Sequence, residues 1–231
     1  MNTHYTYFLI LAAALAGPLL LSFDKKVAFY KKWKYLPLSM LLPALLYIAW
    51  DIFFTSKEVW GFNEHRIAGP KFFGLPIEEV LFFFVVPYCC IFIYECVRSY
   101  LPQLKDIKTA DRILQGLAMV LLIVGVFTYN RYYTSWTFIL TAAFIGFIYL
   151  FRNFFKTFDG ASFLVSYLII LIPFLLVNGF LTAIPVVIYD DAENLGIRIY
   201  TIPFEDVLYG MLLILMNISI YERVLKRKNG E

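Results

Sequence analysis

Two short acidic tracts hold the chemistry this sequence can offer. Pro76-Ile77-Glu78-Glu79-Val80-Leu81 returns in the second half of the chain as Pro203-Phe204-Glu205-Asp206-Val207-Leu208, at an offset of 127 in the numbering. Each opens a long apolar run, where carboxyls are costly and mark function. Paired carboxyls in a dry site do not both ionise, because desolvation and mutual repulsion disfavour the second charge. One then keeps its proton near neutral pH and serves as an acid, while an ionised or hydrogen-bonded partner serves as the base. Helix capping is the plainer role: a proline suits the first helical position, and acids in the first turn face the positive end of the helix dipole. Two copies, with Asp51 and Asn178 near the ends of the preceding apolar segments, point to a shared site instead.

The elements that position these residues are set by hydropathy. The chain has 231 residues, 61% of them hydrophobic, and a mean hydropathy of +0.72. Tyr5 to Ser22, Ile113 to Tyr129, Tyr132 to Phe151 and Ala161 to Tyr189 carry no charge. Tyr35 to Phe54 carries only Asp51, Leu75 to Val97 only Glu78, Glu79 and Glu95, and Ile202 to Tyr221 only Glu205 and Asp206. Each can cross a hydrocarbon core of about 30 Å as a helix. The expected fold is an all-α membrane protein of seven transmembrane helices, forming one membrane domain over 1–231. The first segment lacks the basic n-region of a cleaved signal peptide and counts as a span. Ala161 to Tyr189 is long for one span, so Pro173 and Pro185 are expected to kink or end it, with Ile184 to Tyr189 interfacial or re-entrant.

The same offset extends beyond the acids. Gly69 maps to Gly196, Asp51 to Asn178, and Tyr94-Glu95 to Tyr221-Glu222. Predicted helices 1–3 therefore correspond to helices 5–7. This gives a first half at 1–100, a connector with helix 4 at 101–131 and a second half at 132–231. Helices 3 and 7 are four crossings apart and point the same way, so the repeat is parallel, unlike the inverted repeats of many transporters. Both acidic pairs then start at one membrane depth, where Glu78, Glu79, Glu205, Asp206, Asp51 and Asn178 can line one cavity.

Lys and Arg set the orientation. Lys25, Lys26, Lys31, Lys32, Lys34, Arg98, Lys105, Lys108, Arg112, Arg152, Lys156, Arg223, Lys226, Arg227 and Lys228 lie on one side, against Lys57, Arg66, Lys71, Arg131 and Arg198 on the other. The positive-inside rule puts the N-terminus outside and the C-terminus in the cytoplasm, with a prokaryotic cell membrane as the expected location. Glu95 and Glu222, beside Arg98 and Arg223, read as interfacial ion pairs. No basic tract suggests nucleic acid. Cys89, Cys90 and Cys96 form no Cys-x-x-Cys pair and both histidines fall in loops, so no metal site is expected. The absence of any Gly-x-Gly removes the dinucleotide fingerprint. The last helix lacks the interior lysine that a retinal protein needs. Asp190-Asp191-Ala192-Glu193 has a poor counterpart in the first half and reads as a solvated loop.

A hydrocarbon setting implies a lipid-like substrate entering sideways from the bilayer lipids. Phe72, Phe73, Phe82, Phe83 and Phe84 near the first motif, and Tyr200 and Tyr209 near the second, offer aromatic faces to a carbocation. A proton-coupled transporter is the rival class, but the middles of helices 1, 4 and 5 lack the polar groups of a relay.

The tract Phe73-Gly74-Leu75-Pro76-Ile77-Glu78-Glu79-Val80-Leu81-Phe82-Phe83, with Ile202-Pro203-Phe204-Glu205-Asp206, resembles the signature of the small integral-membrane lycopene cyclases. These are built from two homologous three-helix units, separate subunits in some bacteria, and this chain resembles their fused form along nearly its whole length. The resemblance implies flavin-free, redox-neutral cyclisation of lycopene, most simply to β-carotene, with no cofactor. A carboxylic acid protonates the terminal double bond, the next double bond closes a six-membered ring, and a base removes a ring proton. Glu78 and Glu205 are the leading acid/base candidates, either of them acid or base, with Glu79 and Asp206 tuning or sharing the proton. Asp51, Asn178, Phe72, Phe73 and Tyr209 orient the substrate. Partners would be lycopene, membrane lipids and other enzymes of carotenoid synthesis. A hydratase or a cyclase of C50 carotenoids is the nearest alternative activity.

Overall fold

The computed structural model describes residues 3–105 and 107–228; the side chains of Arg227 and Lys228, counted above among the basic tail residues, lie outside that description. Seven α-helices make up the body: α1 (Thr6–Leu21), α2 (Leu36–Ser56), α3 (Ile77–Tyr100), α4 (Lys108–Phe127), α5 (Tyr132–Leu150), α6 (Gly160–Ala183) and α7 (Glu205–Lys228). Apolar runs of this length become helices because lipid offers no partner to backbone N–H and C=O groups. Six are long and apolar enough to cross a membrane. The exception is α1, whose 16 residues reach about 24 Å, short of a core of about 30 Å. Leu20, Phe127, Leu150 and Ile172 stand outward as a lipid-facing coat.

Six short strands occupy the loops at one end: β1 (Trp60–Phe62), β2 (Lys71–Phe72), β3 (Leu75–Pro76), β4 (Val187–Tyr189), β5 (Arg198–Ile199) and β6 (Ile202–Pro203). The repeat is visible element by element. At the offset found in the sequence, β1 falls on β4, β2 on β5 and β3 on β6, and the last residue of α2 falls on the last residue of α6. Strands β2–β3 and β5–β6 are antiparallel hairpins. Phe73 and Gly74 turn the first with φ of 49° and 88°, the double left-handed conformation of a tight hairpin. The remaining ladder joins the halves: β1 pairs β4 antiparallel, with Trp60 opposite Tyr189, Gly61 opposite Ile188 and Phe62 opposite Val187. Gly61 and Ile188 are themselves equivalent positions of the repeat, so the pseudo-two-fold axis passes through that pair. Both α3 and α7 leave this strand layer in the same direction.

Three local expectations change. Pro76 and Pro203 do not occupy first helical positions: they close β3 and β6, and the helices begin at Ile77 and Glu205. Pro76, at φ −57° and ψ 146°, is extended. Ile184 to Tyr189 is not re-entrant: α6 ends at Ala183 and Val187–Tyr189 joins the β1 ladder, which satisfies its backbone. At the opposite end, Glu95 pairs with Lys32 and accepts from Tyr221, and Glu222 pairs with Arg98. Arg223 does not pair with Glu222 but donates to the Phe154 carbonyl, because adjacent helical residues do not face each other. These ties line an open polar pocket of about 500 Å³ at the end of the bundle away from the strands. The connector α4 packs on α5 and α6. A Cβ at Gly125 would lie 2.8 Å from Ile139 Cγ1, so the glycine permits close approach of α4 to α5.

Candidate acid–base site

The first residue of each acidic pair faces the loops. Glu78 Oε1 accepts from the Ala68 N–H at 2.7 Å. In the second half Glu205 Oε1 accepts from the Leu195 N–H at 2.8 Å and from the Thr134 hydroxyl at 2.5 Å. Ala68 and Leu195 are equivalent, so one staple is made twice. Both glutamates are fully buried. Among the described residues neither second oxygen has a hydrogen-bond partner, and neither side chain lines the central cavity.

The second residue of each pair turns about 100° further round its helix, and both point inward. Glu79 and Asp206 line one cavity between the halves with Asp51 and Asn178. Four of the six polar residues named from sequence are therefore brought together, and two are not. The Tyr7 hydroxyl donates to Glu79 Oε2 at 2.5 Å and the Tyr209 hydroxyl to Asp51 Oδ1 at 2.7 Å. Asp206 differs: Tyr133 donates to Oδ1 and Tyr189 to Oδ2, the latter at 3.0 Å. Burial, reinforced by the Asp206 charge, pushes the Tyr189 phenol above its ordinary value, so it stays a donor. Asn178 spends its amide hydrogen on the Phe174 carbonyl of its own helix.

Among the described residues the lining holds three carboxyls and no Lys or Arg. Three like charges in a low-dielectric space would have no compensation, so the site holds protons. Its walls are aromatic: Trp60 lies 5.0 Å from Tyr133 and 5.9 Å from Tyr209, edge to face, and Tyr133 stacks on Tyr189 at 5.8 Å. Open space is only about 40 Å³, enough for a few waters. Phe174 bounds it, packed so tightly on Gly210 that a Cβ there would fall 2.7 Å from the ring.

Tyr209 is in the site as expected, but Phe72 and Phe73 are not. They form the exposed tip of the β2–β3 hairpin, 51% and 76% accessible, because the turn that starts α3 with Glu79 facing inward throws its own tip outward. The acidic loop cluster is a tie: Asp191 pairs with Arg198, whose guanidinium holds the exposed carboxyl below its usual range. Sequence reasoning missed the phenols Tyr7, Tyr133 and Tyr189. The signal was a change of offset: Tyr7 and Tyr133 are 126 apart, not 127. Their N–H groups donate to the equivalent carbonyls of Arg66 and Glu193, so they are structural counterparts.

The sequence profile described as lycopene cyclase matches residues 4–97 and 130–224. The bifunctional lycopene cyclase/phytoene synthase of Leptosphaeria maculans is 33% identical over 86 residues, 37% of this chain and 13% of that protein. The protein of the same description from Phaeosphaeria nodorum is 29% identical over 84 residues, 34% of this chain and 14% of that one. A third, from Neurospora crassa, is 32% identical over 47 residues, covering 20% and 8%. The chain thus aligns with less than a sixth of each relative's length. These relatives are fungal, so similarity does not confine the chain to a prokaryote. No solved structure matches.

Proposed function

The chain belongs to the lycopene cyclase family, and on that premise we propose that it cyclises the acyclic end groups of lycopene by proton transfer within the central cavity. The observation that carries this reading is the asymmetry of the carboxyls. Glu79 and Asp51 accept one phenol hydroxyl each and, as carboxyls of one cavity with no basic residue in its lining, do not both ionise, so they form the acid. Asp206, with a phenol donor on each oxygen, is arranged as the acceptor.

The reaction is an isomerisation that needs no redox partner and hence no flavin. The Glu79–Asp51 pair gives its proton to the terminal double bond, leaving a tertiary cation. The next double bond attacks that cation, closes the ring and moves the positive charge onto it. Asp206 takes a ring proton and restores a double bond, so one proton enters and one leaves. Trp60, Tyr133, Tyr189 and Tyr209 face the cationic stages with ring surfaces, each able to contribute about 0.5–2 kcal/mol. Between turnovers Asp206 gives up its proton and Glu79 regains one by exchange through the few waters the cavity can hold. Glu78 and Glu205 act as staples that fix the helix starts.

Fifteen basic residues lie at or beyond the end opposite the cavity, so the protein sits with the acids toward the outer leaflet and the C-terminus in the cytoplasm. The deciding experiment expresses the chain in cells that accumulate lycopene and analyses their pigments. Cyclic carotenoid is the expected product; unchanged lycopene with folded protein in the membrane would reject the assignment.

A further inference from the structure

A second void, of about 130 Å³, lies beside the acid cavity between α1, α3 and α6, and its lining is apolar apart from Asn178 and two thiols. Phe82, Val86, Phe174 and Asn178 line both spaces, so the two share a wall at the carboxyls. At its other end the void reaches the lipid-facing surface, where Pro173 is exposed and Ala14, Pro18 and Cys89 are half-buried.

The pseudo-symmetric space between α5, α7 and α2 is filled. Taking the 126 offset for the first helix and 127 elsewhere, Ala14 corresponds to Leu140, Pro18 to Phe144, Val86 to Leu213, Cys89 to Met216 and Val177 to Trp50. Each is larger on the second side. Phe82 and Phe174 become Tyr209 and Tyr47, whose rings meet at 4.7 Å. Trp50 lies 5.1 Å from Tyr209, and the Tyr47 hydroxyl is bonded to the Tyr209 carbonyl at 2.8 Å. Two equivalent clefts thus have opposite fates, one open and one plugged.

We infer that the α1/α3/α6 cleft is the single lateral entrance and holds the linear polyene arm while the end group sits at the carboxyls. This rests on the cyclase reading and adds a site and an order to it. The occupant must be long, apolar and unbranched in outline, since one end reaches the acids and the rest continues into lipid. With the opposite cleft closed, a chain with two reactive ends cannot thread through. It must withdraw and re-enter reversed, so the ends are cyclised in separate visits.

Three measurements test this. First, Ala14→Trp fills the cleft without touching the acid cavity, and Leu140→Trp makes the equivalent change on the plugged side. Conversion of lycopene by Ala14→Trp should fall about tenfold or more, a discrimination typical of filled apolar pockets, while Leu140→Trp stays near wild type. Equal effects would overturn the inference. Second, should Ala14→Trp fail to fold, the native thiol carries the test. In vesicles a lipid-soluble maleimide should label Cys89 of the slow Glu79→Gln/Asp51→Asn variant, and lycopene should slow that labelling. Labelling indifferent to lycopene, while wild type turns it over, sinks the site. Third, with lycopene in large excess, monocyclic product should lead or stand alone; bicyclic product without a lag refutes separate visits. If wild-type protein forms no cyclic product, the cyclase reading fails, a result distinct from each of these.

Discussion

Glu78→Gln and Glu79→Gln are neighbouring changes with identical chemistry, and the structure assigns them different outcomes. Glu79 lines the cavity with Asp51, and two carboxyls in so dry a space do not both ionise. The amide fits the same volume and still accepts from Tyr7, but has no acidic proton to give. A positioned general acid is worth about 10²–10⁴-fold in rate, or about 3–5 kcal/mol of barrier. Asp51 remains as a second carboxyl in this variant, so Glu79→Gln should sit at the lower end, and adding Asp51→Asn should extend the loss. Glu78 instead accepts from the Ala68 N–H and lies off the cavity. Its amide keeps an acceptor there, exchanging a charge-assisted bond for a neutral one at about 1 kcal/mol of stability. Turnover per folded molecule should remain within about fivefold of wild type, less than about 1 kcal/mol in barrier. The assay is lycopene conversion by protein reconstituted in vesicles, with pigments separated and normalised to monodisperse protein. An inactive, folded Glu78→Gln beside a Glu79→Gln that keeps most of its activity would refute the assignment of the inward acids.

Further outcomes follow from the same geometry. Tyr133→Phe and Tyr189→Phe each remove one donor from Asp206, which should slow turnover about ten- to hundredfold at about 1.5–3 kcal/mol per charged hydrogen bond; steady-state kinetics should show kcat falling more than KM rises. In D₂O each ring formed should gain a single deuterium, read by mass spectrometry of the product; rings without deuterium would exclude protonation by an exchangeable carboxyl. Gly69→Ala and Gly196→Ala place a side chain at φ of 107° and 70°, and each should cost about 1 kcal/mol or more, measured as a lower midpoint of thermal unfolding in detergent. Gly210→Ala pushes a methyl into the Phe174 ring and should reduce lycopene conversion; unchanged conversion would show that Phe174 yields freely.

The repeat, the helices and the common depth of the acids were legible because hydropathy and a constant spacing encode them. The facing of the acids was not. Residues 78 and 79 differ by one step along a helix, and which of them meets the cavity is decided by how α3 leaves the β2–β3 hairpin. Of the phenols that hold Glu79 and Asp206, Tyr7 on α1 and Tyr133 on α5 are 72 and 73 residues away in sequence, and Tyr189 on β4 is 17 residues before Asp206. Searching at 127 set Tyr7 against Thr134 and hid its match to Tyr133, since one residue fewer separates that part of the repeat. Phe72 and Phe73 drew attention by nearness in sequence, yet a hairpin tip points away from what its stem supports. Glu95 followed the expectation of an ion pair, though its strongest partner, Lys32, comes from the loop before α2.

The β1–β4 ladder has the form of a contact between equals. An antiparallel pair centred on residues one repeat apart reads the same from either strand, and such a seam is isologous, the kind two identical subunits make about a two-fold axis. A single three-helix ancestor could have docked with its own copy through this strand, building the cavity from two equal shares before any covalent join existed. On that view α4 is a later strap. Its arrival freed the two shares to diverge, so that an Asp51 could face an Asn178 and one cleft could close while its twin stayed open.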